Sequence, residues 1–411
     1  MLTEKLQSVV CIIGAGPAGS STSIFLSKLG IHHIIIDAAS FPRNKVCGDG
    51  LDMKSIRMLN QIDPNIFQNE ILSNPNFTPC NGVRLIHPSG KNRDYVIDRK
   101  LAKPHYHPFY VSKRMDFDHF LVKKIDKAYA NLLTETKAKS IEKTTEGWKI
   151  IAENRNGELE INCKLLVGAD GDHSLLLRHL GERKIDRKHY AGSVRQYFKG
   201  VGDMHPDNLL EFYFPKKYPF SYFWIFPLPN GEANVGYIMV SKYASEKNYN
   251  IRKIFTELIT TDPILKQRFA NATPTGEVEG WGLPLSSLQR KAYGDGWLLV
   301  GDAASVVSPS NGEGIGNAMM SGCIAAEFIA KAIKLDNFEE GTFKNYQREL
   351  YRPLKEEIDR YNKYIDKKPE WSNWLINNLI MDNFVTQKLY KKFMQKWMET
   401  AYEKRIKVIV D

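Results

Sequence analysis

The residues of this chain that could do chemistry gather at glycine-rich junctions. Val9-Val10-Cys11-Ile12-Ile13 runs straight into Gly14-Ala15-Gly16-Pro17-Ala18-Gly19, and Ser20 to Leu29 reads as a helix. A strand, G-x-G-x-x-G and a helix in that order suit a dinucleotide. Gly14 makes the tight turn, Gly16 lets a pyrophosphate approach the backbone, and Gly19 lets helix and strand pack closely. Pro17 and Ala18 open the helix, whose N-terminus offers N–H groups and a positive dipole end to phosphates. A second strand, Ile34-Ile35-Ile36, ends at Asp37, 23 residues after Gly14. A carboxylate there can hold both ribose hydroxyls and would repel a 2′-phosphate.

Two further apolar strands end in an acid: Leu165-Leu-Val-Gly168-Ala-Asp170-Gly171 and Trp297-Leu-Leu-Val-Gly301-Asp302. Such an aspartate faces the cofactor crevice and can bond polyol hydroxyls. Pro309-Ser-Asn-Gly312-Glu-Gly314-Ile315-Gly316-Asn317-Ala318 opens a long helix, where backbone N–H groups can cover an electron-rich ring edge. Together these segments favour a flavin over a nicotinamide.

Other reactive side chains are more ambiguous. Cys47 lies in a glycine- and lysine-flanked loop and reads as a proton donor, a shaper of the flavin pocket or an inert buried thiol. Asp49 and Tyr222 are the other proton-donor candidates. Lys45 and Arg43 suit a pyrophosphate, a substrate head group or solvated surface. Residues 212–226 hold nine aromatics; on a strand Tyr222, Trp224 and Phe226 face one way, Phe223 and Ile225 the other. Composition alone favours an aromatic sheet core for that face, which also suits the floor of a cavity for a long apolar or polyene substrate. His105 and His107 have no acid or cysteine cluster beside them, so no metal is expected.

The elements that must position these residues read as α/β at both ends with a strand-rich middle. Val83–His87 and Asp94–Asp98 alternate around a turn, Asp116 to Ala130 reads as a helix, and Leu132 to Val167 contains three strand-like runs. Val194–Phe198, Leu209–Phe214, Tyr222–Pro227 and Ala233–Val240 read as antiparallel strands, with a helical stretch at Ile251 to Leu258. Trp297–Val300 returns to a buried strand, and a helix then runs to about Lys334.

At 411 residues, with 43% hydrophobic and 25% charged, the chain suits two domains or one with a large insertion. No signal peptide fits ahead of the first strand, no uncharged apolar run is long enough to span a membrane, and no nucleic-acid module appears. The five cysteines lack C-x-x-C spacing, which points to the reducing cytosol. The net charge of +10 favours phosphates or membrane headgroups without specifying a partner. Leu389, Phe393, Trp397 and Ala401 recur at four-residue steps beside Lys388, Lys392 and Lys396. That helix suits packing on the protein or peripheral contact with an anionic bilayer. The oligomeric state is not legible.

The ordered motifs resemble the two-domain FAD-dependent monooxygenases and reductases with the hydroxybenzoate-hydroxylase fold. Gly14 to Gly19 matches the nucleotide motif, Asp170-Gly171 the D-G motif and Gly301-Asp302 the G-D motif. Arg114-Met-Asp-Phe117-Asp118-His-Phe-Leu121 matches a helix start whose arginine lies beside the cofactor. Within that group the chain is most similar to the geranylgeranyl reductase family. Phe41-Pro42-Arg43-Asn-Lys45-Val-Cys47-Gly48-Asp49-Gly50-Leu51 resembles its P-R-x-K-x-C-G-x-G-L segment. Tyr222-Phe-Trp224-Ile-Phe226-Pro227 resembles its cavity-lining Y-x-W-x-F-P motif. Halogenases carry a related W-x-W-x-I-P, from which Tyr222 and Phe226 depart. Asp37 stands where the family usually has Glu, which keeps the charge.

The resemblance implies an α/β fold with a discontinuous Rossmann-like FAD-binding domain (1–75, 111–185 and 286–335). A mostly antiparallel β substrate domain (76–110 and 186–285) is inserted, and a helical C-terminal segment (336–411) follows. It implies reduction of C=C bonds in an isoprenoid or other long apolar substrate, with FAD monooxygenation as the alternative and a halogenase or a non-catalytic flavin carrier behind it. The implied small-molecule site uses Gly14 to Gly19, Asp37, Arg43, Cys47, Gly48, Arg114, Asp170, Gly171, Gly301, Asp302, Gly312, Gly314, Ile315 and Gly316 for FAD. Tyr222, Trp224, Phe226 and Pro227 would line the substrate cavity. With no second nucleotide unit, electrons would come from transiently docked NAD(P)H or a redox partner.

Overall fold

The computed structural model describes residues 4–97 and 107–367. Among these, the strands form three sheets. In the first, Glu4–Ile13 lies between His33–Ile36 and Gly157–Gly168, with Ala130–Leu133 and Trp297–Leu299 beyond them, all parallel. Such strands are covered on both faces and read as continuous apolar runs. Val10–Ile13 and Ile34–Ile36 are accordingly buried throughout. Lys137–Thr144 and Gly147–Asn154 extend the sheet antiparallel from Gly157–Gly168.

The helix Pro17–Lys28 makes the crossover from the first strand to His33–Ile36 and packs against Ile315–Leu335. They cross closely at Gly322, where an added Cβ would lie 2.5 Å from the Ala18 carbonyl oxygen and 2.7 Å from the Thr22 nitrogen. The crossing holds the two glycine-rich helix starts on one cavity.

The second sheet runs Thr273–Pro274, Tyr190–Lys199, Glu232–Val240, Ser221–Pro227, Leu209–Tyr213, Gly82–Ile86 and Asn92–Val96. Its strands are antiparallel except that Leu209–Tyr213 pairs parallel with Gly82–Ile86, across a long chain excursion. On one face Phe223 and Ile225 pack into a cluster with Phe255 and Leu258 of the helix Ile251–Thr261. Trp224 and Phe226, on the other face, join the core shared with the first sheet. A small sheet of Gly50–Leu51, Phe109–Val111 and Thr78–Cys80 holds the Cys47–Gly50 loop in place.

Two local expectations are corrected. The helix expected at 116–130 spans Arg114–Val122, and Ala130–Leu133 is a strand. The Asp126 carboxylate accepts the Ala128 N–H at 2.9 Å, a turn that diverts the chain, and the apolar residues after it pair with His33–Ile36. Helices Ser241–Glu246 and Pro263–Arg268 are additional; Asp262 caps the second by accepting the N–H groups of Ile264 and Leu265. After residue 336 the described helices include Tyr346–Tyr351 and Lys355–Tyr364. Tyr346 donates to the Leu299 carbonyl, and Tyr351 to the Ala304 carbonyl at 2.6 Å, which ties this segment to the first sheet and the turn after it. The amphipathic repeat from Lys388 to Ala401 and His105 lie outside the described residues.

Candidate active site

A cavity of about 790 Å³ lies between the two sheets, within the size range of small-molecule and cofactor sites. At one side it is lined by the strand–helix junctions. Gly14 has φ +103°, and a Cβ there would meet the Ala169 carbonyl oxygen at 2.5 Å. Gly19 faces the carbonyl of Gly14, where a Cβ would sit at 1.8 Å. Only glycine serves at either position. Around Gly16, the nearest atom to an added Cβ is Arg43 Nη2 at 3.5 Å, which leaves its cavity side open. Asp37 accepts N–H groups from Ala15 at 2.7 Å and Ala39 at 2.9 Å, which fixes the carboxylate at the strand end.

Three features fit FAD. The helices Pro17–Lys28 and Ile315–Leu335 both begin without a side-chain cap, leaving first-turn N–H groups available to an acceptor. Asp170 uses one carboxylate oxygen to accept the Leu175 N–H at 2.7 Å; the other is buried without a partner. Asp302 also lines the cavity, and burial raises its pKa against the opposing pull of Lys45 and Arg114. A polyol would satisfy such buried carboxylates.

In the middle of the cavity the Cys47–Gly50 loop is tied to the second sheet through one amide. Asn234 is fully buried. Its Nδ2 donates to the Cys47 carbonyl at 2.8 Å and to Asp49 Oδ2 at 2.7 Å, and its Oδ1 accepts the Trp224 indole N–H at 2.9 Å. Asp49 also accepts the Tyr197 hydroxyl at 2.8 Å and the Arg114 N–H at 3.1 Å, and it adopts φ +64°. Burial lifts the Asp49 carboxyl to about 6 despite the donors around it. Burial pushes the Cys47 thiol up, with Arg114 opposing. The Arg114 guanidinium grips Asp118 through two bonds of 2.6 and 2.8 Å. Lys45 lies 3.2 Å from the Trp281 ring centroid, and burial, with Arg114 nearby, lowers it to about 8.

The other side of the cavity is apolar, with Leu210, Phe212, Tyr222, Trp224, Phe226 and Ile238 among its lining. Phe212 meets Tyr222 and Phe226 edge-on at 5.4 and 5.3 Å between centroids. Tyr222 donates its hydroxyl to the Asn311 carbonyl, so its proton is engaged in holding the 309–314 loop. Of the residues expected at the site, Gly19, Gly316 and Pro227 do not line the cavity. Gly19 and Gly316 serve close packing instead; a Cβ on Gly316 would lie 2.5 Å from the Ser55 nitrogen. Pro227 falls on the alternate face of its strand, opposite Phe226. His107 bonds Asn81 at 2.9 Å, and the described residues contain no cluster that could hold a metal.

A family model for the FAD binding domain matches residues 7–350. A digeranylgeranylglycerophospholipid reductase of Methanocaldococcus jannaschii is 32% identical over 344 residues, 82% of this chain and 81% of that one. The chain belongs to the geranylgeranyl reductase family of FAD-dependent oxidoreductases. A menaquinone reductase of Mycobacterium tuberculosis is 29% identical over 325 residues, 78% of this chain and 76% of the other. A geranylgeranyl bacteriochlorophyll reductase-like protein of Thermoplasma acidophilum superposes with a TM-score of 0.78 at 22% identity, covering 97% of this chain and 98% of that one. A flavin-dependent brominase does so at 0.74 and 20%, covering 97% and 94%. These two likenesses establish the shared fold. No helix among the described residues is long and apolar enough to cross a membrane.

Sequence reasoning missed Asn234, Tyr197 and Glu313. Asn234 did leave a signal, as the lone amide in an otherwise apolar strand from Ala233 to Val240. Tyr197 gave none, because its partner Asp49 lies 148 residues away.

Proposed function

We propose that this protein reduces carbon–carbon double bonds in a long isoprenoid or similarly apolar, conjugated chain. The observation that carries the reading is the continuity of the cavity: its glycine–aspartate junctions open directly onto an aromatic wall. Gly14, Gly16 and the N–H group of Ala18 would hold the FAD pyrophosphate, and Asp37 a ribose. Asp170 and Asp302 would take hydroxyls, and the backbone at Gly312, Gly314 and Ile315 the ring edge. When bound and reduced, FAD supplies the hydride.

The chain's own part is placement and dryness. Phe212, Trp224 and Phe226 shape an apolar slot that excludes water and aligns a flat conjugated segment. Asn234 locks the Cys47–Gly50 loop against that slot. The relatives support the substrate class through their names: one is a digeranylgeranylglycerophospholipid reductase, another a menaquinone reductase. To test the reading, purified holoprotein is reduced with dithionite under anaerobic conditions and mixed with polyprenyl lipids. Return of the oxidised flavin spectrum without oxygen supports reduction. Return only when oxygen is admitted, with an oxygen atom gained by the lipid, points to monooxygenation, and a lipid left unchanged under both conditions sinks both.

A further inference from the structure

Glu313 is a residue of the cavity wall to whose carboxyl neither cofactor binding nor the aromatic slot gives a role. Its side chain is 10% exposed, and both carboxylate oxygens are buried without a hydrogen-bond donor. It sits on the 309–314 loop, between Gly312 and Gly314, where the wall turns into the helix Ile315–Leu335. Three charged groups face it. Asp52 caps the helix Met53–Ile62 and also lines the cavity. Lys54 Nζ lies 3.5 Å from Glu313 Oε2 and 2.9 Å from Glu357 Oε1. Glu357, on the helix Lys355–Tyr364, is partly exposed and also accepts the Ser308 hydroxyl.

Three carboxyls around one ammonium would leave two uncompensated negative charges if all were ionised, and burying unpaired charge is costly. One proton on the group removes half of that excess, and Glu313 is the member whose oxygens accept no hydrogen bond. Burial, with Asp52 beside it, drives the Glu313 pKa well upward, while Lys54 opposes this. Tyr222 and Asp49 are less free to give up a proton. Tyr222 donates to Asn311, and Asp49 accepts from Arg114, Tyr197 and Asn234.

We propose that Glu313 is the proton store of the active site and delivers the proton that accompanies the hydride. This rests on the reading of the protein as a double-bond reductase. Reduction of one C=C bond consumes one hydride and one proton. The Glu313 O–H bond breaks as the proton passes into the cavity, directly or through one water, and forms the second C–H bond. Lys54 neutralises the carboxylate left behind until a solvent proton replaces the one lost.

The test uses the FAD-loaded protein and the variants Glu313→Gln and Glu313→Asp. In infrared difference spectra across a pH titration, wild type should show carbonyl stretches of protonated buried carboxyls, and Glu313→Gln should lose one of these components. Glu313→Gln should keep its flavin and its reduction by dithionite, yet reoxidise with a polyprenyl acceptor at least ~100-fold more slowly, the scale of a lost general acid. Glu313→Asp should recover part of that rate. A set of carboxyl bands left unchanged by Glu313→Gln, or a reoxidation rate within about threefold of wild type, overturns the inference while leaving the reductase reading intact. A wild-type protein that reduces no double bond sinks the reductase reading itself, and the delivery step with it.

Discussion

Replacing Asn234 with leucine should unfasten the Cys47–Gly50 loop from the second sheet. The two side chains are similar in size, so little cavity is created and the cost is polar. The change removes three hydrogen bonds, to the Cys47 carbonyl, the Asp49 carboxylate and the Trp224 indole N–H. It leaves those buried partners short of a bond, at about 1–3 kcal/mol each. The sum is roughly 3–9 kcal/mol, a large share of the 5–15 kcal/mol typical of whole domains. The loss should depend on pH. Asn234 donates to Asp49 and so opposes the burial that lifts its pKa to about 6; without it the carboxyl rises further. At pH 5 Asp49 is mostly protonated and needs that donor less, so the destabilisation should shrink between pH 7 and pH 5. Guanidinium unfolding at both pH values, followed by tryptophan fluorescence, measures it. A loss below about 1 kcal/mol at pH 7, or one that grows on acidification, would refute the claim that this amide organises the loop.

Other consequences follow from the same geometry. Asp302→Ala should purify with much less flavin than wild type, by absorbance ratio; a fully flavin-loaded variant would remove that residue from the cofactor site. Gly322→Val should destabilise the protein by about 1–3 kcal/mol and lower its flavin content, because the added side chain meets the Ala18 carbonyl where the two helices cross. The Asp49 carboxyl is raised in the fold from 3.8 to about 6, so its contribution is fully present below about 4 and is lost as pH rises through about 6. That contribution is on the order of 3 kcal/mol, and the stability profile of Asp49→Asn should be correspondingly flatter between pH 4 and 6.

Local signals made much of the nucleotide half legible. The Gly14–Gly19 turn, the acid at Asp37 and the Asp170 and Gly301-Asp302 strand ends each carry their meaning within a few residues. The alternation of Tyr222, Trp224 and Phe226 against Phe223 and Ile225 likewise follows from strand geometry alone. What escaped depended on distant partners. The parallel pairing of Leu209–Tyr213 with Gly82–Ile86 joins segments more than a hundred residues apart, and no local pattern encodes it. The contact of Asn234 with Cys47 spans 187 residues. Gly316 shows the converse problem. A glycine in a cofactor-like motif can serve helix packing, and only the position of Ser55 beside it distinguishes the two uses.

Reduced FAD in this cavity adds hydrogen to a carbon–carbon double bond. The most direct test of that step is the mass of the product from a single anaerobic turnover, with the flavin reduced beforehand and a polyprenyl lipid as acceptor. A gain of two hydrogens is expected for each bond reduced, both of them appearing as deuterium at carbon when flavin reduction and turnover are carried out in heavy water. Unchanged lipid, or a product that forms only with oxygen and carries an added oxygen atom, would contradict it.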